Sequence, residues 1–271
     1  MAGRKVILHY HLFKNAGTSI DHILKENFGE QQWRNQEFDF PGYHLTSAIL
    51  SGQSTAPLVR KWLCEHPDAL ILSSHSAIMP VPELAATTVF PIVFVRHPLI
   101  RLNSSYVFQR SQFQEGIDNA TTRLAQERNF AGYLEGLLDL RNQSLARNFN
   151  AVRLAAAVPG PPEQFKQRAM RALEALPFVG VVERFSQSLV VLQHWLEPHF
   201  PGFQAAPAWL NASLSSAVSP KERLADIEEQ LGASLYGKVT EANQVDIEVH
   251  RAASQKIEAR HAALGPVHPS N

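Results

Sequence analysis

The feature that most constrains this fold is a set of four short, mostly apolar runs spaced along the chain. They read KVILHYHLF at 5–13, ALILSS at 69–74, VFPIVFV at 89–95 and FVGVVERF at 178–185. A strand whose consecutive residues are apolar is buried on both faces, which is typical of a parallel sheet covered by helices. We therefore expect an α/β protein with a central, mostly parallel sheet and helices on both faces.

Helical periodicity fills most of the chain outside these runs. Helices are predicted at 19–28, 57–66, 99–113, 130–149, 163–176, 186–196 and 220–262, the last with Gly232 as an interruption. Residues 30–56 are polar with scattered aromatic residues, and are expected to form either an excursion toward an acceptor or a packed loop. Residues 111–130 are polar and are expected to form a mobile segment.

Composition narrows the class of protein. The 271 residues are 45% apolar, so a full core can form, and we expect one domain over 1–265 with a frayed tail at 266–271. Lys and Arg total 25, as do Asp and Glu, which argues against a nucleic-acid partner bound through bulk charge. The oligomeric state is left open.

Targeting and redox signals point to an ordinary intracellular protein. The N-terminus lacks the pattern of a signal peptide, and no window of apolar residues is long enough for a transmembrane segment, so a cytoplasmic location is expected. The single cysteine, Cys64, excludes an intrachain disulfide and is expected to be a buried structural thiol beside Trp62 and Leu63.

Ligands of open parallel sheets bind beyond the carboxyl ends of the strands. The segment after the first apolar run joins a strand to a helix N-terminus, where unpaired amide groups and the helix dipole favour a phosphate. Its residues are Lys14, Asn15, Ala16, Gly17, Thr18 and Ser19. The one lysine precedes the glycine, so the Walker A pattern GxxxxGK[ST] is absent.

A second candidate phosphate site follows the third apolar run, where residues 96–106 read RHPLIRLNSSY. Pro98 suits the first turn of a helix. In that helix Arg101 shares a face with Ser104 and Ser105, which follow it by three and four residues. An arginine beside a serine is suited to binding phosphate, because guanidinium donates two parallel hydrogen bonds.

Together these segments resemble the sulfotransferase superfamily, specifically the carbohydrate-type branch with heparan sulfate 2-O-sulfotransferases and bacterial family-2 sulfotransferases. HLFKNAGTS (11–19) is similar to the family loop H-I-P-K-T-x-G-T-S, and RHPLIRLNSSY to R-D-P-x-x-R-x-x-S-x-Y. Further matches follow in order at SSHSA (73–77), LRNQSLARNF (140–149), FVGVVERFSQSL (178–189) and ANQVDIEVH (242–250). The chain departs from the family at Phe13, where proline is usual, and at His97, where aspartate is usual.

The resemblance implies a P-loop-like three-layer fold and transfer of a sulfuryl group from 3′-phosphoadenosine 5′-phosphosulfate (PAPS) to an acceptor hydroxyl. Adenosine 3′,5′-bisphosphate (PAP) is the implied product, and a carbohydrate or glycolipid the implied acceptor. Lys14 would contact the bridging oxygen within the 14–19 loop, and Arg96 and Ser104 would bind the 3′-phosphate. No metal is expected, because PAP is already a good leaving group and the sequence shows no metal-ligand spacing.

The acceptor hydroxyl needs a general base, and histidine titrates near neutral pH. His75 ends the second apolar run and matches the family's catalytic histidine, so it is the first candidate; His97 and His11 are the alternatives. His9 and His11 lie two apart and are expected to share one face of a strand. The acceptor's identity and the position sulfated are left open.

Two other functions compete with sulfuryl transfer. An ATP-dependent small-molecule kinase of P-loop-like fold would share the architecture, but the absent Walker A pattern argues against it. A non-catalytic nucleotide-binding protein is the other, and the retained Lys14, His75, Arg96 and Ser104 argue against it. Glu183 and Asp246 match recurring family positions and are expected to have structural roles.

Overall fold

The computed structural model describes residues 3–39, 45–140, 145–205 and 218–265. At its centre is a five-stranded, all-parallel sheet with the strand order β2-β3-β1-β4-β5. The strands are β1 (Arg4–Tyr10), β2 (Trp33–Asn35), β3 (Ile71–Ser74), β4 (Thr87–Val95) and β5 (Gly180–Val181). The prediction of an α/β fold with a parallel sheet is confirmed, and the expected tail at 266–271 lies outside the described residues.

The central strand explains the continuous apolar pattern. β1 lies between β3 and β4, with Ile7 opposite Ile71 and Val6 opposite Val89. All residues of β1 from Val6 to Tyr10 are buried. Because neighbouring residues of a strand point to opposite faces, both faces of the sheet are covered at this strand.

Eleven helices are found in the described residues. They are α1 (Gly17–Phe28), α2 (Leu45–Leu50), α3 (Ala56–Glu65), α4 (Pro98–Gln114), α5 (Ala120–Glu127), α6 (Phe130–Asp139), α7 (Phe149–Ala155), α8 (Phe165–Ala175), α9 (Phe185–Leu196), α10 (Pro220–Ala242) and α11 (Gln244–Ala263). Single 3₁₀ turns occur at Pro162–Gln164 and Val182–Arg184. α10 bends at Gly232, whose φ of 69° is non-helical, as the sequence predicted.

Two segments that were expected to be irregular contain regular structure. Residues 30–56 include the edge strand β2, which pairs with β3, and the short helix α2. Within 111–130, α4 continues to Gln114 and α5 begins after Asn119, whose side chain accepts hydrogen bonds from two amides of the first turn. The helix expected over 130–149 is interrupted, because α6 ends at Asp139 and α7 begins at Phe149.

The prediction for Cys64 is wrong, since this side chain is exposed. α3 buries Val59 and Leu63, which lie four residues apart on one stripe of the helix. Cys64 follows Leu63 by one residue, a rotation of about 100° around the helix that takes it off the buried stripe.

Two large hydrophobic clusters and a small one, formed by Ile49, Ile78 and Val152, hold these elements together. The larger one joins the sheet to helices that include α1, α3, α8, α9 and α11. The second joins α4, α5, α6 and α10, with Leu102, Tyr133, Leu134 and Val239 among its buried members. This second cluster fixes α10 against α4, close to the carboxyl end of the sheet. None of the described helices combines the length and the apolar character that crossing a membrane requires.

Candidate functional site

Three neighbouring strands end at the same edge of the sheet, because β3, β1 and β4 are adjacent and parallel. The turn at 14–19 follows β1, His75 follows β3 directly, and Arg96 follows β4 directly. The expectation that these segments are spatial neighbours is therefore confirmed: Nδ1 of His75 is hydrogen-bonded to the carbonyl oxygen of His11, three residues before the turn, and Arg96 donates to the carbonyl oxygen of Lys14 within the turn.

The turn at 14–19 is held in an unusual backbone conformation. Lys14 and Ala16 have left-handed φ values of 61° and 63°, which are uncommon and costly for residues with a side chain. The buried Asn15 anchors the turn, because its Nδ2 donates to the Phe94 carbonyl oxygen over 2.8 Å and to Asn150 Oδ1 over 2.7 Å. Both donor groups of Asn15, the side-chain amide and the backbone amide, are thus committed to the protein, because its backbone amide also donates to the Leu12 carbonyl oxygen over 3.1 Å.

The same turn leaves amide groups free at the N-terminus of α1. The Ser19 amide donates to the Ala16 carbonyl oxygen, but the amides of Gly17 and Thr18 meet no acceptor among the described residues. The exposed Thr18 adds a hydroxyl to this end of the helix. Free amides at the positive end of a helix dipole are suited to an anion.

Gly17 is required for a reason that the sequence did not reveal. A Cβ atom at this position would lie 2.0 Å from Cδ2 and 2.2 Å from Nε2 of His11. The imidazole of His11 therefore lies directly against the backbone of the 14–19 turn.

Lys14 and Arg96 come together at a cavity of about 560 Å³ between α4 and α10. Arg96 Nη1 donates to the Lys14 carbonyl oxygen over 3.0 Å, and Lys14 Nζ lies 4.3 Å from the centre of the Phe108 ring. Burial, and then the charge of Arg96, lower the pKa of Lys14. The other lining residues are Ile100, Asn103, Ser104, Val107, Phe108, Ser111, Val218, Arg223 and Asp226.

A buried carboxylate holds Arg96 in place. Glu183 Oε1 lies 3.7 Å from Arg96 Nε, while Glu183 Oε2 accepts from the His97 amide over 3.2 Å and from His250 Nε2 over 2.9 Å. Burial alone would raise the pKa of Glu183, but the His250 hydrogen bond and nearby positive charges hold it below its usual range. Arg96 Nε is buried and faces Glu183 Oε1 at a distance too long for a hydrogen bond, so the two groups interact through their charges.

His97, an alternative base, occupies the N-cap position of α4, but its side chain makes no capping hydrogen bond. Burial, and then the neighbouring His250, lower the pKa of His97 to about 4. The two rings pack edge to face, with centroids 5.3 Å apart. His97 and His250 line a separate cavity of about 370 Å³ with Glu183 and Arg184, so His97 lies away from the cavity that holds Lys14.

His75 has the geometry of a general base. Its Nδ1 lies 3.1 Å from the His11 carbonyl oxygen; because a carbonyl only accepts, Nδ1 carries the proton and Nε2 has the free lone pair of the neutral imidazole. Burial, and then the charge of His11, lower the pKa of His75 and favour that neutral form. Its amide donates to Glu37 Oε1 over 3.0 Å. His75 does not line the 560 Å³ cavity but contacts the turn through His11.

Asp21 connects the two strand histidines. Its Oδ1 lies 2.7 Å from His9 Nδ1, and its Oδ2 lies 2.9 Å from His11 Nδ1. Burial alone would raise the pKa of Asp21, but the hydrogen bonds from His11 and His9 outweigh burial and hold it far below its usual range. The prediction that His9 and His11 point to the same side is confirmed, although β1 ends at Tyr10 and His11 is the first residue after it.

The described residues contain one group whose spacing would allow it to hold a metal ion, formed by His9, His11 and Asp21, with ligand atoms within 4.8 Å of one another. Each carboxylate oxygen is already paired with one imidazole Nδ1. We therefore interpret the group as a hydrogen-bonded network. The 560 Å³ cavity instead combines three cationic side chains, Lys14, Arg96 and Arg223, and the carboxylate Asp226 with the apolar side chains Val107, Phe108 and Val218, a mixture suited to an anion with an apolar part.

Some of the residues considered above lie outside the site. Arg101 is fully buried and donates to the Leu145 carbonyl oxygen, and Ser105 is hydrogen-bonded to Tyr133, so this pair does not face a ligand. Asp246 is buried and accepts hydrogen bonds from the Asn150 and Ala151 amides at the start of α7. Within the 140–149 match, residues 141–144 lie outside the described part of the chain.

Two residues of the site were missed by sequence reasoning. Arg223 reaches the cavity from α10, far along the chain. Only the packing of α10 on α4 brings it there. The pKa of Arg96 is lowered chiefly by burial, Glu183 raises it, and the positive charge of Arg223 lowers it further. In the sequence, Asp21 is one polar residue of an amphipathic helix. What identifies it is its position in the structure, where its carboxylate is hydrogen-bonded to both His9 and His11.

The fold and the site define an α/β protein with free amides in the turn after β1, a cavity lined by Lys14 and Arg96, and a neighbouring exposed histidine. No family model matches the chain. A protein of Archaeoglobus fulgidus that carries only the description "Uncharacterized protein" is 32% identical to it over 249 residues, which are 90% of this chain and 94% of the archaeal protein. The chain belongs to the same family as this archaeal protein.

Proposed function

We propose that this protein is a sulfotransferase that moves a sulfuryl group from PAPS to an acceptor hydroxyl. The observation that carries the proposal is that Lys14, Arg96 and Ser104 line one cavity, because the sulfotransferase resemblance assigns these residues to the two ends of that donor. Arg223, which lies outside the resembling motifs, adds a third cation to the same cavity.

The chemistry of the lining supports a bisphosphorylated nucleoside as the ligand. Arg96, Ser104 and Arg223 supply the donors that a 3′-phosphate requires. Lys14 and the free amides of Gly17 and Thr18 supply donors for the 5′ side. Apolar walls next to polar anchoring groups are typical of sites that bind small molecules with a heterocyclic part.

The donor supplies a sulfuryl group: the bond from sulfur to the 5′-phosphate oxygen breaks as the bond from sulfur to the acceptor oxygen forms. Lys14 stabilises the electron pair and negative charge left on the 5′-phosphate. His75 Nε2 takes the proton of the acceptor hydroxyl, which makes that oxygen a better nucleophile. The turn and the base form no covalent bond to the substrates; because both are fixed in the fold, they orient the donor and the acceptor for the reaction.

We propose a glycan or glycolipid hydroxyl as the acceptor and the cytoplasm as the place of reaction. His75 and Glu37 are both exposed, so a large acceptor can reach the base without entering the core. Exposed polar groups beside the base are also suited to hydroxyl-rich ligands, which need hydrogen-bond partners when they lose water.

The proposal is tested by following thermal unfolding of the purified protein with PAP and, separately, with Mg²⁺-ATP. A ligand at 100 times its dissociation constant stabilises the folded state by about 2.7 kcal/mol. A clear increase in melting temperature with PAP and little with ATP is expected. Acceptors are then screened with sulfur-labelled donor.

A shift with Mg²⁺-ATP alone would overturn the proposal in favour of a phosphoryl-transfer protein. Binding of PAP without turnover on any glycan, lipid or small-molecule hydroxyl would favour a non-catalytic nucleotide-binding protein. Arg223→Ala provides the internal control, because it should weaken PAP binding without disturbing the buried core.

A further inference from the structure

His11 occupies the space between the anion-binding turn and the base. Its Cδ2 and Nε2 atoms lie where a side chain on Gly17 would be. On its other side, its ring centroid is 3.8 Å from that of His75. A half-buried imidazole in this position contacts both parts of the proposed site.

The hydrogen bonds of His11 determine which of its nitrogen atoms is available. Its Nδ1 is hydrogen-bonded to the carboxylate of Asp21 over 2.9 Å, and an ionised carboxylate only accepts, so Nδ1 carries a proton. Within the described residues, no protein group hydrogen-bonds Nε2. The free Nε2 is the atom that lies against Gly17.

The titratable groups around His11 are of both signs. Asp21 from α1 bonds its Nδ1, His9 from β1 shares that carboxylate, and His75 after β3 contacts its ring. Lys14 follows in the turn, and Glu37 accepts from the His75 amide. Asp21 is the only one of these groups that hydrogen-bonds the His11 side chain among the described residues.

A neutral His11 and a protonated one would affect a bound anion in opposite ways. With Nδ1 protonated, the Nε2 of neutral imidazole is a lone pair, which repels the oxygens of a phosphate or sulfuryl group at the turn. The protonated ring instead offers an Nε2–H donor and a positive charge, and the carboxylate of Asp21 balances that charge.

We propose that His11 is a further catalytic residue: as an imidazolium, it donates a hydrogen bond from Nε2 to an anionic oxygen of the phosphosulfate held at the 14–19 turn. The inference rests on the proposed function, since it requires an anion at that turn. The two imidazoles in contact then have different roles: His11 is charged and donates a hydrogen bond, and His75 is neutral and acts as the base. The charge of His11 is one of the effects that lower the pKa of His75, after burial, and the two roles therefore support each other.

A direct consequence is that ligand binding is coupled to the uptake of a proton by the protein at any pH where His11 of the free protein is not fully protonated. Calorimetric titrations with PAP at equal pH in PIPES and in Tris, whose ionisation enthalpies differ, measure the protons taken up on binding. They are repeated over roughly pH 5 to 8, the range in which an ordinary histidine changes its charge, with a pair of buffers suited to each pH. Wild type is expected to take up as much as about one proton more than His11→Gln at some pH in this range.

Two comparisons make the measurement specific to Nε2 of His11. His9→Gln changes the other partner of Asp21 but leaves Nε2 of His11 in place, so its proton uptake should exceed that of His11→Gln. Adenosine 3′-monophosphate lacks a group at the turn, so its binding should show no difference between wild type and His11→Gln. His11→Ala is expected to weaken PAP binding at least ~10-fold at neutral pH, the loss of one charge-assisted hydrogen bond.

The outcomes separate this inference from the function on which it rests. If wild type does not bind PAP, the proposed function fails and the inference fails with it. If wild type binds PAP but its proton uptake equals that of His11→Gln at every pH, the inference alone fails. Stoichiometric Zn²⁺ binding that is lost in both His9→Gln and His11→Gln would also overturn it, because the Nδ1 atoms would then be metal ligands.

A second measurement does not depend on whether the His11 variants fold. The ¹⁵N resonances of the imidazoles in wild-type protein report which ring nitrogens are protonated. Addition of PAP should move the His11 Nε2 signal to that of a protonated nitrogen. An Nε2 signal that stays that of an unprotonated nitrogen in the complex would refute the proposal.

Discussion

Arg96 donates a hydrogen bond from Nη1 to the backbone carbonyl oxygen of Lys14 over 3.0 Å, which ties the end of β4 to the turn after β1. The bond orients the guanidinium and fixes the backbone from which the Lys14 side chain extends. Two cations from separate strand ends are therefore held at one cavity, despite their mutual repulsion, by a hydrogen bond from the charged guanidinium of one to the neutral backbone carbonyl of the other. Glu183 compensates part of that charge from behind Arg96.

Lys14→Ala should remove most turnover while the fold stays intact. The variant loses the charge that stabilises the departing 5′-phosphate, and the loss of one such donor costs about 10²–10³ in kcat. Lys14→Arg should retain part of the activity. The measurement is the steady-state rate with labelled donor. Lys25→Ala, on the helix that follows the turn, is the control, since Lys25 lies over Trp33. Full turnover by Lys14→Ala would remove Lys14 from the mechanism.

Arg96→Ala and Arg223→Ala should both weaken binding of PAP more than binding of adenosine 5′-monophosphate. Only the 3′-phosphate is expected to contact these guanidinium groups, and one charge-assisted hydrogen bond is worth about 1.5–3 kcal/mol. Calorimetry with both nucleotides measures the difference, and Lys221→Ala on the same exposed turn as Arg223 is the control.

The two arginine variants should differ in stability. Arg96→Ala leaves the buried carboxylate of Glu183 without its guanidinium, and thermal unfolding should show a lower melting temperature. Arg223 is exposed, so its removal should leave the melting temperature unchanged. An equal loss of affinity for both nucleotides in either variant would contradict a 3′-phosphate contact.

The sequence alone was enough to locate most of the site, and the physical reason lies in the sheet. The runs that became β1, β3 and β4 are continuously apolar because both faces are buried, and parallel strands bring their carboxyl ends to one edge. Lys14, His75 and Arg96 could therefore be grouped without a structure. The spacing that placed Arg101 beside Ser104 and Ser105 was less informative, because Arg101 is buried in the core. The sequence of a helix does not show whether one of its faces points to the core or to a ligand.

Other features depend on interactions that no local pattern reveals. β2 has three residues and no buried one, so its only signal is its pairing with β3. α5 is started by Asn119, whose side chain closes a capping box with Thr122 in a segment of otherwise polar residues. Arg223 joins the cavity because α10 packs on α4, a tertiary contact between distant parts of the chain.

His75→Ala should abolish transfer and preserve PAP binding. The variant removes the group that takes the acceptor's proton, and general base catalysis contributes about 10²–10⁴ in rate. Since His75 does not line the cavity that holds Lys14 and Arg96, PAP affinity should stay within experimental error of wild type. Loss of PAP binding with an unchanged melting temperature would make His75 a ligand contact instead of the base.

The pH dependence of kcat/KM should carry the signatures of His75 and Lys14. His75 acts as the neutral form, and its pKa is lowered by burial, so the acid limb should lie below the ordinary histidine value of about 6.5. Lys14 acts as the charged form, and its pKa is also lowered by burial, so its loss of charge should begin below the ordinary lysine value of about 10.4. In His11→Gln, where the charge of His11 no longer contributes, activity thus falls as pH drops through the pKa of His75 and again as pH rises toward that of Lys14. An acid limb above the ordinary histidine value would contradict the assigned base.

Gly17→Ala should damage both stability and function, because its new Cβ would lie 2.0 Å from the ring of His11. Overpacking of this kind costs about 1–3 kcal/mol, and relief requires His11 to leave its hydrogen bond with Asp21. Gly237→Ala is the matched control, since a Cβ at that helical glycine would meet nothing within 4 Å. Alanine there should raise stability by about 0.5–1 kcal/mol. Chemical denaturation of the two variants measures both effects, and equal stability would show that the ring of His11 moves aside freely and is not held where the proposed mechanism needs it.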